Sequence, residues 1–199
     1  TMIDAREMAP ALANTDMYLA ADGSVNRDLA VNGPLAAAIP GEIAGLDHLA
    51  KHYGKLPLAA SLQPAIRIAR EGFPVYTKFL RMLEYAEQDM RRWPAATAAF
   101  LPDGKLPAMG QLIKLPDLAV VLAKIADEGR DGFYKGEIAQ LMVDGMNAAG
   151  GNWSMADLEG YVIKERTPIR TIYQGYELVT APPPSSGGIA IAETLNILE

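Results

Sequence analysis

The sequence contains no cysteine, so disulfides and thiolate chemistry are excluded and the redox compartment leaves no mark on it. Histidine is scarce, with 2 residues. Basic residues are outnumbered, 18 against 24 acidic, and the formal net charge of −6 argues against a nucleic-acid surface, which needs a basic stripe. No apolar run reaches the roughly 20 residues of a membrane span. Neither G-x-G-x-x-G nor a P-loop occurs, so a nucleotide site has no support. Internal repeats, low-complexity tracts and a clear interdomain linker are also missing. What is present is a chain that is 50% hydrophobic over 199 residues, enough to bury a sizeable core as one domain or as part of a larger one.

The opening Thr1-Met2-Ile3-Asp4 reads as the interior of a protein rather than a leader, and Thr1–Ala5 as a short β-like segment. Residues 11–38 show no sustained period and are expected to be a long loop, with one brief strand near Met17–Leu19. A first helix follows Pro40-Gly41, with Ile43, Leu46, Leu49, Ala50 and Tyr53 at helical spacing and Gly54 as terminator. Pro64 divides the next apolar pattern into a turn and a helix from about Gln63 to Glu71, closed by Gly72. Further helices are expected at Tyr76–Arg92, from Pro116 or Asp117 to about Asp127, and over Glu137–Ala149. Gln111–Lys114 reads as a brief strand and Asp131–Gly136 as a loop. Ser154 and Asp157 form a capping box that opens a short helix. From residue 161 the character turns to β: Tyr161–Ile163, Ile169–Tyr173 and Tyr176–Thr180, the last two joined by a Gln174-Gly175 turn. Many helices, then strands, then a helix give an α+β class. Strands this few imply that their sheet partners lie outside the chain.

Four places offer chemistry. His48 and His52 share one helix face at the i, i+4 spacing that suits zinc, but Leu49 stands where the metalloprotease motif has its glutamate and no third ligand is evident. A solvated helix face is the plainer account, and no metal or cofactor is expected. Pro182-Pro183-Pro184-Ser185-Ser186-Gly187-Gly188 is a rigid strand exit, a small-residue loop and a helix start, with either serine able to cap. It suits a ligand site and equally an ordinary turn; a serine nucleophile would need the strained G-x-S-x-G elbow, which is absent. Glu137, Glu165 and Glu177 read as solvated charges. Asp4-Ala5-Arg6-Glu7 places an arginine at a strand end before a loop. Its fork could grip a carboxylate, or it could make only a surface ion pair with Glu7.

Several motifs in order resemble the gamma-glutamyltranspeptidase family: Asp4 to Pro10, Ile39 to Leu46, Tyr53 to Pro57, Leu62 to Val75, Phe133 to Ala139, Glu165 to Ile169 and, most specifically, Pro182 to Glu199. The resemblance covers nearly the whole chain and is weakest over residues 76–130. It implies part of an N-terminal nucleophile hydrolase with an αββα core, here the mostly helical portion with a few strands near the C-terminus. Residues 1–199 would be a partial large-subunit domain. Such enzymes cut themselves from one precursor, and the threonine that begins the small subunit is the nucleophile, its α-amine serving as base. The gamma-glutamyl group of glutathione or a related amide passes through an acyl-enzyme to water or an amino acid.

Thr167, Thr171, Thr180 and Thr194 do not match the nucleophile position, so the resemblance implies a small-subunit partner and an isolated chain that is inactive and self-associates. One family residue carries over: Arg6 resembles the arginine that binds the α-carboxylate of the gamma-glutamyl group. The serine-nucleophile reading of Ser185 and Ser186 falls away, and the proline–serine stretch is left as a wall near the substrate. The related alternatives are a glutaryl-cephalosporin acylase on the same scaffold and a non-catalytic helical scaffold or binding module. Family members are often periplasmic or secreted, and that location is the expectation.

Overall fold

The computed structural model describes residues 1–199. In chain order the elements are β1 (Met2–Asp4), α1 (Arg27–Val31), α2 (Glu42–His52), α3 (Leu58–Glu71), β2 (Phe73–Pro74), α4 (Thr77–Arg91) and α5 (Pro94–Phe100). They continue with β3 (Leu112–Ile113), α6 (Pro116–Glu128), α7 (Asp131–Tyr134), α8 (Gly136–Ala148) and α9 (Met155–Glu159). The chain closes with β4 (Lys164–Arg166), β5 (Ile169–Tyr173), β6 (Tyr176–Thr180) and α10 (Gly187–Leu198). Two compact units result, one from residues 1–49 and 140–199, the other from residues 50–139.

The first unit holds two small antiparallel sheets. β1 pairs with β4, setting Met2 opposite Arg166, Ile3 opposite Glu165 and Asp4 opposite Lys164. β5 and β6 form the expected hairpin, with Tyr173 opposite Tyr176. Its turn residues, Gln174 at φ 48 and Gly175 at φ 83, are both left-handed, the geometry that a tight two-residue hairpin demands. Ile39, Ala44, Trp153, Leu158 and Tyr161 are buried in this unit. The capping box at α9 is present: Asp157 N–H donates to Ser154 Oγ at 3.2 Å, and Ser154 N–H donates to Asp157 Oδ2 at 2.9 Å. Asp157 also accepts from the Ala11 backbone N–H at 2.8 Å, which ties the long early loop to the start of α9.

The second unit is built on α3 and α6, with Ile66, Ala69, Leu83, Ile113, Ala119 and Ile125 buried. The Leu115 N–H donates to the Ala69 carbonyl at 2.8 Å. β2 and β3 make a two-residue antiparallel clasp, Phe73 opposite Ile113. Phe73 meets the Phe79 ring edge-on at 5.1 Å, which anchors the start of α4.

Five local expectations are corrected. Pro64 does not divide α3; the helix runs through it from Leu58. Pro64 and Ala60 both lie on the exposed side, so the carbonyl that loses its amide partner faces water rather than a dry core. Tyr161–Ile163 is not a strand; the strand is Lys164–Arg166, shifted by the pairing with β1. Residues 11–38 are not all loop, because Asn26 caps the short α1 by accepting from the Asp28 and Leu29 amides; of the strand expected near Met17–Leu19, only a bridge between Leu19 and Val25 forms. Asp131–Tyr134 is a helical turn instead of a loop. Finally, Ser186 stands at the start of α10 in helical conformation and its side chain makes no capping bond.

Candidate functional site

A cleft of 410 Å³ opens in the first unit, within the size range of small-ligand sites. Arg6, Glu7, Tyr161, Lys164, Arg166 and Pro184 are among the residues lining it. The Arg6 turn and the proline–serine stretch, at opposite ends of the chain, thus meet at one wall, with Pro184 as the contribution of the latter. The charged lining consists of three cations, Arg6, Lys164 and Arg166, against two carboxylates, Asp4 and Glu7.

The local sequence explains how Arg6 comes to be presented. Asp4 ends β1 and its Oδ1 accepts the Arg6 backbone N–H at 3.1 Å, the i to i+2 turn for which aspartate is suited. Its Oδ2 accepts from Arg166 Nε at 2.7 Å. Asp4 is buried, and the hydrogen bond from Arg166, then that from the Arg6 amide, hold its carboxyl below the usual aspartate range against the opposing effect of burial. On the other side of the turn, the Tyr161 hydroxyl donates to the Arg6 carbonyl at 2.7 Å. Burial, followed by the charges of Asp4 and Glu7, raises the Tyr161 pKa, so the phenol remains a neutral donor. Two residues beyond Arg6, Met8 and Ile39 exchange backbone hydrogen bonds at 3.1 and 2.8 Å.

Helix α2 makes room for this turn through glycine. A Cβ on Gly41 would sit 1.9 Å from the Tyr161 hydroxyl and 2.3 Å from the Ala5 carbonyl oxygen; one on Gly45 would sit 2.6 Å from the Ala5 side chain. The backbone of Arg6 is therefore held on both sides, by Asp4 at its N–H and by Tyr161 at its carbonyl. Its side chain is not: it is 59% exposed, and Glu7 is a loose partner at 3.5 Å. An exposed pair of this kind contributes about 0–1 kcal/mol and leaves the guanidinium available.

The other sequence candidates fall elsewhere. His48 and His52 do not form a metal centre with any third residue, and His48 Nε2 lies 2.8 Å from Glu165 Oε1. The expected solvated histidine face is therefore a tether between α2 and β4, and Glu165 is engaged rather than merely solvated. Glu177 likewise pairs with Arg170 at 2.6 Å across the β5–β6 hairpin. Ser185 donates its backbone N–H to the Pro182 carbonyl at 3.2 Å, an ordinary turn bond. Gly188 is the residue of this stretch with a structural demand on it, since its Cβ would lie 2.0 Å from the Ala181 carbonyl oxygen. Sequence reasoning missed Tyr161, Arg166 and Gly41 as part of the site. The Glu165-Arg166-Thr167-Pro168 motif was visible, but nothing local shows that Arg166 meets a carboxylate 162 positions earlier.

Comparison with known proteins places this geometry. The sequence model of the gamma-glutamyltranspeptidase family matches residues 1–199, and the chain belongs to that family. It is 39% identical over 200 residues to a glutathione hydrolase proenzyme of Pseudomonas sp. strain A14, covering 100% of this chain and 35% of the relative. It is also 39% identical over 204 residues to the Acylase ACY 1 proenzyme of Pseudomonas sp. strain V22, covering 100% of this chain and 37% of the relative. Its fold matches the crystal structure of Helicobacter pylori gamma-glutamyltranspeptidase with a TM-score of 0.96 and 33% identity, over 98% of this chain and 56% of the other. The chain therefore spans about a third of the length of the curated relatives it matches. Its α+β architecture is the mostly helical portion of an N-terminal nucleophile hydrolase, as the motifs implied.

Proposed function

We propose that this chain supplies the α-carboxylate-binding wall of an enzyme that transfers or hydrolyses the gamma-glutamyl group of glutathione and related amides. The observation that carries the proposal is the contrast at Arg6: a backbone held on both sides by Asp4 and Tyr161, and a guanidinium 59% exposed in a cleft. A permanently charged, planar fork on a fixed base suits bidentate recognition of a carboxylate. In this reading the nucleophile is a threonine at the start of a small subunit from the same precursor. Its hydroxyl attacks the gamma-carbonyl, its proton passes through the α-amine to the departing amine, and water or an amino acid resolves the ester. No residue of the present chain is assigned a role in bond breaking. Export to the periplasm or beyond belongs to the same proposal and rests on the family resemblance.

A second reading has a specific observation behind it, because the acylase relative is as similar as the glutathione hydrolase, 39% in each case. A glutaryl group is a gamma-glutamyl group without its α-amine, and its carboxylate occupies the same place. Arg6 serves either acyl group, so the discriminating residue is one that reads the amine. The test is turnover of chromogenic L-gamma-glutamyl and glutaryl anilides by the full-length protein. The expected outcome is preference for the gamma-glutamyl anilide, with a KM increase on the order of 100-fold in Arg6→Ala, as two charge-assisted hydrogen bonds are lost. Preference for the glutaryl anilide establishes the acylase instead. Turnover of neither contradicts both and supports a non-catalytic module.

A further inference from the structure

Arginine is a long side chain, and a fork at its end is useful only where its base does not wander. A misplacement of about 1 Å at a substrate-positioning group can cost on the order of 100-fold in rate. The Arg6 turn is short, lies outside any strand or helix, and faces an open cleft, so its rigidity has to come from neighbours. We infer that Tyr161 is a positioning residue for Arg6, and that Tyr161, Asp4 and Gly41 form a frame that aims the Arg6 guanidinium into the cleft. The inference rests on the reading of Arg6 as the carboxylate-binding residue.

Three features converge on it. The Tyr161 hydroxyl crosses 155 positions of sequence to land on the carbonyl of Arg6 itself at 2.7 Å. Tyr161 is 2% exposed, and a buried phenol that gives its proton to that carbonyl fixes both groups. The same carboxylate that holds the Arg6 amide, that of Asp4, is locked by Arg166, so the turn is referred to the β1–β4 pair and not to solvent. Gly41 is bare where any side chain would overlap the Tyr161 hydroxyl and the Ala5 carbonyl, which is what allows the tyrosine to reach the turn. A frame built for stability alone has no need to converge on the peptide units of a residue whose side chain stands 59% exposed at the cleft.

The test is a double-mutant cycle in the full-length protein with L-gamma-glutamyl-p-nitroanilide as donor. Tyr161→Phe removes one hydrogen bond and keeps the ring. Its KM is expected to rise about tenfold, the value of one buried hydrogen bond, while kcat changes by less than about twofold. In an Arg6→Ala background the same substitution adds no further rise, because the fork it aims is gone. Asp4→Asn is the second variant, keeping an acceptor for the Arg6 amide while weakening the Arg166 arm; a severalfold KM rise that also vanishes in Arg6→Ala is expected. An Arg6→Ala variant with raised KM beside a Tyr161→Phe variant with unchanged KM overturns the frame and leaves the Arg6 reading intact. Equal effects of Tyr161→Phe in both backgrounds show a purely structural tyrosine and overturn it too. An unchanged KM in Arg6→Ala overturns the Arg6 reading and this inference together.

Discussion

Asp4 and Arg6 stand two residues apart and are used in opposite ways. Asp4 is buried and satisfied by Arg166 and the Arg6 amide, whereas the Arg6 side chain is left in solvent. The depressed Asp4 pKa makes this contact pH-dependent. Because the folded carboxyl titrates below its unfolded value, the unfolded chain takes up the proton first as pH falls. The stabilisation is complete above the ordinary aspartate pKa of about 3.9 and is lost as pH drops through that value towards the lower folded one. Asp4→Asn removes the charge, and the expected cost is about 1.5–3 kcal/mol at neutral pH, the range for hydrogen bonds to a charged group. Denaturant unfolding of the full-length protein at pH 7 and pH 3 checks this: the gap between wild type and variant should narrow at pH 3. A gap that is the same at both values contradicts the assignment.

At the scale of elements, legibility followed the range of the interaction. Helix stops depend on a few neighbouring residues, and Gly72 and Gly129 end α3 and α6 as expected, each N–H returning to a carbonyl four residues back. The Ser154–Asp157 box and the β5–β6 hairpin are equally local and were read correctly. The strand after Tyr161 was misplaced because its register is set by β1, more than 150 positions away, and not by its own alternation. Pro64 misled for a related reason: α3 continues through it with the carbonyl it orphans, that of Ala60, on the exposed side, and exposure is a tertiary property. Of the cleft, Arg6 was singled out through its motif, while Tyr161 and Gly41 were not, since a buried tyrosine and a helix-start glycine have many ordinary uses. In the proline–serine stretch Gly188 allows a close approach where α10 meets the end of β6. Gly188→Ala drives a methyl group into the Ala181 carbonyl and should lower stability by about 1–3 kcal/mol, the cost of overpacking. An unchanged thermal midpoint in the full-length protein would contradict that contact.

At the scale of the molecule, the chain carries an open cleft and much apolar surface. In the first unit Tyr176, Ile197 and Leu198 are 75%, 84% and 65% exposed, and in the second Tyr85 is 88% exposed. Each sheet has two strands and therefore open edges, which invite pairing. Residues 1–199 expressed alone are expected to self-associate in light scattering and to leave a chromogenic gamma-glutamyl anilide intact; a clean monomer at high concentration, or real turnover, counts against this. No helix is long and apolar enough to cross a membrane. The central claim is that Arg6 binds the α-carboxylate of a gamma-glutamyl donor. It is tested most directly by comparing full-length wild type and Arg6→Ala on a gamma-glutamyl anilide and on its α-carboxamide analogue, which has nearly the same shape without the charge. The predicted result is a KM rise on the order of 100-fold for the carboxylate donor and little change for the carboxamide. Equal losses on both donors, or no loss on either, would contradict it.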